Sequence, residues 1–313
     1  MRNSHLLMLT GAAMTAFAGN SVICRLALRQ TSIDPATFTI IRLVSGAAAL
    51  LTLVYLRSVI HDLQAASRAD GVSRALPDRF QLCLGGSWIA AAVLLLYAAA
   101  FSYAYVQLQA GAGALLLFGA VQLTMVLYGW YGGERMTVRQ ASGFLLATIG
   151  LLAMMAPGLT APPFGGALLM LTSGVAWAAY SLRGRGSADP IGDTAGNFAR
   201  AAPLSVMLYP LTSGWLHVDV NGALYAVLSG VVTSGFGYVL WYTVLRKLGA
   251  TRAASVQLIV PVLAAFGGIA FMGELPTLRL LFASMAVLGG VSLTMFGRRR
   301  DAAHGNEAMR GEK

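Results

Sequence analysis

Two arginines, Arg42 and Arg200, are the only basic residues that stand well inside the long apolar stretches of this chain, more than three residues from either end. A charge so placed costs at least ~2.5 kcal/mol even on a lenient membrane-insertion scale, so each head must face other protein or reach an interface. Two kinds of chemistry meet that demand: the guanidinium can snorkel to headgroups or backbone carbonyls, or its planar fork can grip a carboxylate. Flat rings share the same stretches: Trp88, Tyr97 and Phe101, then Phe118, then Trp177 and Tyr180, then Phe236, Tyr238, Trp241 and Tyr242. A mid-depth indole such as Trp177 stacks on rings and attracts cations, or it simply packs. Trp130, Tyr131, Trp215 and Tyr225 lie nearer the ends of their stretches and read as an interfacial belt. Asn20, Ser21, Gln122, Thr124, Ser181, Ser234 and Gln257 add neutral polar groups that either bind helices together or line a wet path. Among them the amides Asn20 and Gln122 are best suited to hold an ammonium or a carboxylate.

Other chemistries find no residues. The four histidines are scattered over segment ends, loops and tail, and Cys24 and Cys83 both fall in apolar stretches, so neither a metal cluster nor a disulfide framework is expected. No cofactor is called for, since phosphate-loop and dinucleotide fingerprints lack a strand–helix setting. The net charge of +10 is dispersed between apolar stretches and draws no nucleic-acid-binding face.

The elements that must position these groups follow from hydropathy. With 57% hydrophobic residues, 11% charged residues and mean hydropathy +0.68, the chain has too little polar surface to cover a soluble globule of 313 residues. Apolar runs of membrane-spanning length occur at residues 6–28, 35–56, 80–103, 111–131 and 138–156, and again at 165–182, 195–216, 222–245, 253–272 and 278–297. An all-α polytopic membrane protein with ten transmembrane helices is therefore expected, as alternating barrel strands are absent. With the N-terminus inside, 17 of the 22 basic residues fall on the interior side and only Arg25, Arg29 and Arg279 on the exterior, so both termini are expected to be cytoplasmic. Arg2 with the run ending in Ala16-Phe17-Ala18 imitates a signal peptide, but Leu6–Thr10 recurs letter for letter at Leu168–Thr172, which favours a retained helix.

That recurrence has company. Gly133–Arg139 and Gly273–Arg279 share the pattern Gly-Glu-x-x-Thr-x-Arg, each in a short connection between two apolar runs. In each, the glycine can end one helix and Thr137 or Thr277 can cap the next, while Glu134 or Glu274 stands near its positive end. Residues 1–158 and 159–297 thus read as two five-helix repeats, followed by a disordered cytoplasmic tail at 298–313. Five crossings is an odd number, so the repeats enter the membrane from opposite faces and enclose a pathway between them.

In the order and spacing of these features the chain resembles the drug/metabolite transporter superfamily, in particular its ten-helix EamA-type exporters. The likeness rests on Pro35 with Arg42, on Gly-Glu after the fourth run, and on Trp177 with Tyr180. It rests further on Tyr238 with Trp241, on Pro261 thirteen residues before Glu274, and on Gly150 and Gly290. One departure is Val121 where members usually carry a proline in the fourth run. The resemblance implies a central cavity ringed by helices 1–4 and 6–9, and export of small metabolites, amino acids among them, with an aromatic amino-acid exporter branch favoured. Arg42, Arg200 and the rings and amides above are the expected cavity residues, with Pro261, Gly267 and Gly268 as a bending point for alternating access. Because no Asp, Glu or His lies in mid-run, export is expected to follow the cargo's own gradient or to be coupled through an unusual group. Expected partners are a small-molecule cargo and the lipid bilayer of a bacterial cytoplasmic membrane, with no nucleic acid; a monomer would suffice. Competing readings are a cationic-drug exporter, a nucleotide-sugar-type exchanger, a membrane-embedded enzyme and a receptor or scaffold. The exchanger would want more than two cavity cations, and the enzyme a cluster of acids or histidines.

Overall fold

The computed structural model describes residues 3–68, 85–133, 137–156, 161–184, 187–211, 218–257, 259–290 and 292–293, and among these there is helix but no strand. In chain order the helices are α1 (Asn3–Gln30), α2 (Pro35–Arg68), α3 (Trp88–Tyr105), α4 (Ala110–Tyr131), α5 (Val138–Met155), α6 (Phe164–Gly184) and α7 (Pro190–Ser205). They continue with α8 (Val220–Leu228), α9 (Gly237–Gln257), α10 (Ile259–Met272) and α11 (Leu278–Gly290). Six helical stretches are long and apolar enough to cross a membrane, and three more are shorter but apolar. The tail at 298–313, Cys83 and Glu134 lie outside the described residues.

Local sequence explains the boundaries. Asp34 caps α2 by accepting the amides of Ala36 and Thr37 at 3.0 and 2.9 Å, with Pro35 at the first helical position. Ser87 caps α3 through the Ala90 amide at 3.1 Å. Gly133 and Gly273 take φ of +88° and +63°, the left-handed geometry that ends α4 and α10. Thr277 Oγ1 accepts the Leu280 amide at 3.1 Å and so starts α11, as its place in the repeated phrase predicts.

Two expected runs differ from straight helices. The seventh starts early, at Pro190, and after Pro203 gives way to a 3-10 turn, Val206–Leu211, because a proline inside a helix removes an amide donor and crowds the preceding turn. The eighth is broken midway by a π-helical stretch, Ser229–Phe236, and α9 then continues as helix to Gln257, through the connection expected between the eighth and ninth runs.

Packing crosses between the early and late helices. α3 and α4 lie on α6, α2 on α7 and the π-helical stretch, α1 on α9 and α10, and α10 on α4. Close approach is direct at Gly230, where a Cβ would stand 2.3 Å from the Arg42 carbonyl. At one end of the bundle the Ser32 amide donates to Asp219 at 3.2 Å and Arg25 meets Glu274; at the other, Arg57 pairs with Asp189 at 2.9 Å and the Gly86 amide donates to Asp193 at 2.8 Å.

Candidate functional site: a buried arginine in an aromatic box

Arg42 lies where α2 crosses the π-helical stretch, and it is 1% exposed. Its Nε donates to Ser234 Oγ at 3.0 Å and its Nη2 to the Tyr97 hydroxyl at 3.4 Å. The guanidinium carbon sits 5.4 Å from the Tyr97 ring centroid and 5.2 Å from that of Phe101, within cation–π range. Nη1 is buried with no hydrogen-bond partner, and among the described residues no carboxylate pairs with Arg42. A fork with five donors is thus only part used, in surroundings where an uncompensated charge is costly.

The π-helical stretch supplies the polar lining. Its extra residue per turn brings Ser229, Thr233 and Ser234 inward together: Ser229 and Thr233 donate to Asn20 Oδ1 at 2.7 and 3.0 Å, while Ser234 meets Arg42. The Asn20 amide nitrogen in turn reaches the Tyr97 hydroxyl at 3.5 Å. Such π segments recur at functional sites, where they re-aim side chains. The serines, threonine and glycines of 229–237 were visible in the sequence, but nothing in their spacing distinguishes a π segment from a small-residue helix contact.

Trp177 is the hub of the rings. Its centroid lies 4.8 Å from Tyr238, 5.0 Å from Tyr97, 5.6 Å from Phe17 and 5.9 Å from Tyr180. Trp241 joins through Phe17 at 5.6 Å, and Phe198 through Tyr238 at 5.7 Å. Phe17 and Phe198 were not among the expected cavity residues. Helical spacing puts Phe17 on the same face as Asn20 and Cys24, which is the signal that would have found it. At the Tyr180 side the cluster borders a vestibule of about 250 Å³, lined by Gly86, Arg183, Asp193, Asn197 and Tyr242 among others.

Other expected cavity residues stand apart from this box. Arg200, only part buried, donates from Nη1 to the carbonyls of Gly85 and Gly196 at 2.7 and 2.9 Å, and lies 5.9 Å over the Trp88 ring. Trp88 is 62% exposed, so the pair forms a rim at the start of α3. Phe118 and Gln122 are buried on α4, and Gln257 is buried at the end of α9 with its Oε1 unpartnered. Pro261 is buried in α10, and a Cβ on Gly267 or Gly268 would stand 2.5 Å from Val22 Cγ2 or Glu274 Oε2, so both glycines are contact positions. Among the described residues, backbone departing from α-helix occurs in the π segment and in the 3-10 turn Val206–Leu211. The Thr137 backbone carbonyl accepts the Ala141 amide at 2.9 Å in the first turn of α5, and Glu274 pairs with Arg25 at 3.2 Å, a partner its turn alone did not reveal.

Comparison with known proteins bears on this arrangement. The chain is 50% identical over 303 residues to an uncharacterised protein of Pseudomonas aeruginosa, covering 97% of this chain and 99% of that one. Residues 164–296 match the model of the EamA-like transporter family. The chain belongs to that family. This EamA-family chain is also 28% identical over 216 residues to a probable terminal-alkyne amino-acid exporter of Streptantibioticus cattleyicolor, covering 66% of this chain and 72% of that one. It is 23% identical over 205 residues to a probable amino-acid metabolite efflux pump of Salmonella typhimurium, covering 61% and 69%. A solved crystal structure, 18% identical, superposes over 95% of this chain and 98% of that one with a TM-score of 0.61, so the overall fold is an established one. With its membrane-length helices, the EamA-family assignment makes this a multi-pass membrane transporter.

Proposed function

We propose that this EamA-family transporter exports small amphipathic metabolites that carry a carboxylate, aromatic amino acids foremost, across a bacterial cytoplasmic membrane by alternating access. The observation that carries this reading is Arg42, a fully buried cation with an unused donor edge inside a ring of aromatic side chains. A carboxylate would supply the missing counter-charge, Trp177, Tyr97 and Tyr238 would stack on a flat side chain, and Asn20 lies beside them for a polar group. The exporter names of two relatives support the amino-acid class. A cationic drug fits less well, because Arg42 would repel it at the point where the rings converge.

In this reading the vestibule near Tyr180 and Tyr242 is the loading side, which the distribution of basic residues assigns to the cytoplasm. Two inverted five-helix units, 1–158 and 159–297, would rock about the box. The test is efflux of labelled phenylalanine, tyrosine and tryptophan, with lysine as a cationic control, from loaded cells that overproduce the protein. Faster loss of the aromatic amino acids, abolished by Arg42→Gln, is expected; loss of lysine alone would sink the proposal.

A further inference from the structure

At the end of the bundle away from the vestibule, Arg25 on α1 and Glu274 in the connection from α10 to α11 form an ion pair with Nε 3.2 Å from Oε1 and side chains only 8% and 13% exposed. Each partner is engaged further. Arg25 Nη1 donates to the carbonyls of Tyr105 and Val106, at and just past the end of α3, at 2.8 and 3.0 Å. Glu274 Oε2 accepts the Ala110 amide at 2.8 Å, at the start of α4, where Gln109 provides no side-chain cap. One carboxylate therefore neutralises Arg25, caps α4 and faces the positive end of that helix. It passes over Gly268 of α10, where a Cβ would clash with it at 2.5 Å. Four helices meet on a single ionisable group.

A file of rings leads to this point. From the vestibule, Tyr242 and Tyr180 are 6.4 Å apart, Tyr180 and Trp177 5.9 Å, Trp177 and Tyr97 5.0 Å, Tyr97 and Phe101 5.6 Å, and Phe101 and Tyr105 4.7 Å. The Tyr105 carbonyl is one of the acceptors of Arg25. The file of rings begins at the vestibule and ends beneath the ion pair.

We infer that Arg25 and Glu274 are the gate of this far end, which opens when the pair parts. The inference rests on the transport reading but not on the cargo. Ionised, Glu274 accepts two N–H groups and offsets a buried guanidinium. Parted from Glu274, Arg25 loses its counter-charge in a low-dielectric setting and the Ala110 amide loses its acceptor, so the closed arrangement rests on this contact. The groups against it are Arg25 from α1 and Tyr105 from α3, while α4 and α10 present the Ala110 amide and Gly268.

The test uses Cys24, a fully buried free thiol beside Arg25. In a Cys83→Ser background it is the sole thiol, and a membrane-impermeant maleimide applied to the outer face reports opening, with rates normalised to unfolded protein at the same pH. Glu274→Gln is expected to label about tenfold faster than the parent, the scale of one charge-assisted contact removed from the closed state. Thr277→Ala, which removes the α11 cap in the same connection, should not speed labelling. Equal acceleration by Thr277→Ala, or an unchanged rate in Glu274→Gln, would each overturn the inference. Labelling needs no cargo, so this result stands or falls apart from the efflux test of Arg42.

Discussion

Arg42 and Arg200 occupy corresponding places in the second and seventh apolar runs, yet their surroundings have little in common. Arg200 lies near the Gly85–Ser87 connection, spends two contacts on backbone carbonyls and rests on an exposed tryptophan. Arg42 lies among rings from α3 and hydroxyls from the π segment, with part of its donor set unspent. A charge in an apolar run therefore says only that the charge must be satisfied. Satisfaction by the chain's own carbonyls explains Arg200 without a ligand, whereas the incomplete satisfaction of Arg42 in full burial is the ground on which a ligand is proposed there.

The comparison breaks most visibly in transport. Arg42→Gln should lower efflux at least about a hundredfold, the scale of losing a buried charge-assisted pair, and Arg42→Lys should recover little because an ammonium lacks the fork. Arg200→Gln should leave efflux within about threefold while lowering stability by about 1–2 kcal/mol through its lost carbonyl contacts; thermal unfolding in detergent separates the two. If the two glutamine variants behave alike, the assignment of different roles is wrong.

Next in size, Gly230→Ala places a methyl against the Arg42 carbonyl and Ser45 Oγ, at 2.3 and 2.1 Å. It should cost about 2–3 kcal/mol by forcing α2 from the π segment, read as loss of folded protein on size-exclusion chromatography. Ser234→Ala removes the Nε partner of Arg42 and should reduce efflux about three- to tenfold, the effect of one hydrogen bond to a charged group. Trp88→Ala strips only the exposed ring from Arg200 and should change efflux less than about twofold.

The smallest effect concerns Asp219. Partial desolvation raises its pKa, but hydrogen bonds from the Gly222 amide, the Thr31 hydroxyl and the Ser32 amide outweigh that and hold it below the usual carboxylate value. A depressed carboxylate contributes stability that is present above its unfolded pKa and fades as pH falls through the folded one. Asp219→Asn should therefore flatten the acid limb of the unfolding temperature slightly below about pH 4 and leave the neutral value near that of the parent.

Much of this was legible in the chain. Hydropathy located the apolar runs, Thr277 capped its helix as its motif position requires, and Arg42, Tyr97, Trp177, Tyr238 and Asn20, named together from residue type and depth, lie in one cluster. Less was visible of the parts made by distant segments. Arg25 and Glu274 are 249 residues apart and each reads alone as a helix-end charge. The π segment was hidden because its serines, threonine and glycines also suit a plain close contact between helices. Trp88 was grouped with the rings by residue type, while its position at the mouth of α3 leaves it exposed.

What the sequence by itself determined is the solvent: a chain this apolar, with all but two of its charges at or beyond the ends of its runs, must put helices in a bilayer, because backbone groups there can be satisfied only within the helix. Helix capping and the sites of chain reversal followed from the same local chemistry. Only the tertiary structure decided which polar groups are left partly unmet and which are tied to one another, since that depends on contacts between segments hundreds of residues apart. The unspent edge of Arg42 and the clasp of Arg25 on Glu274 belong to that second class.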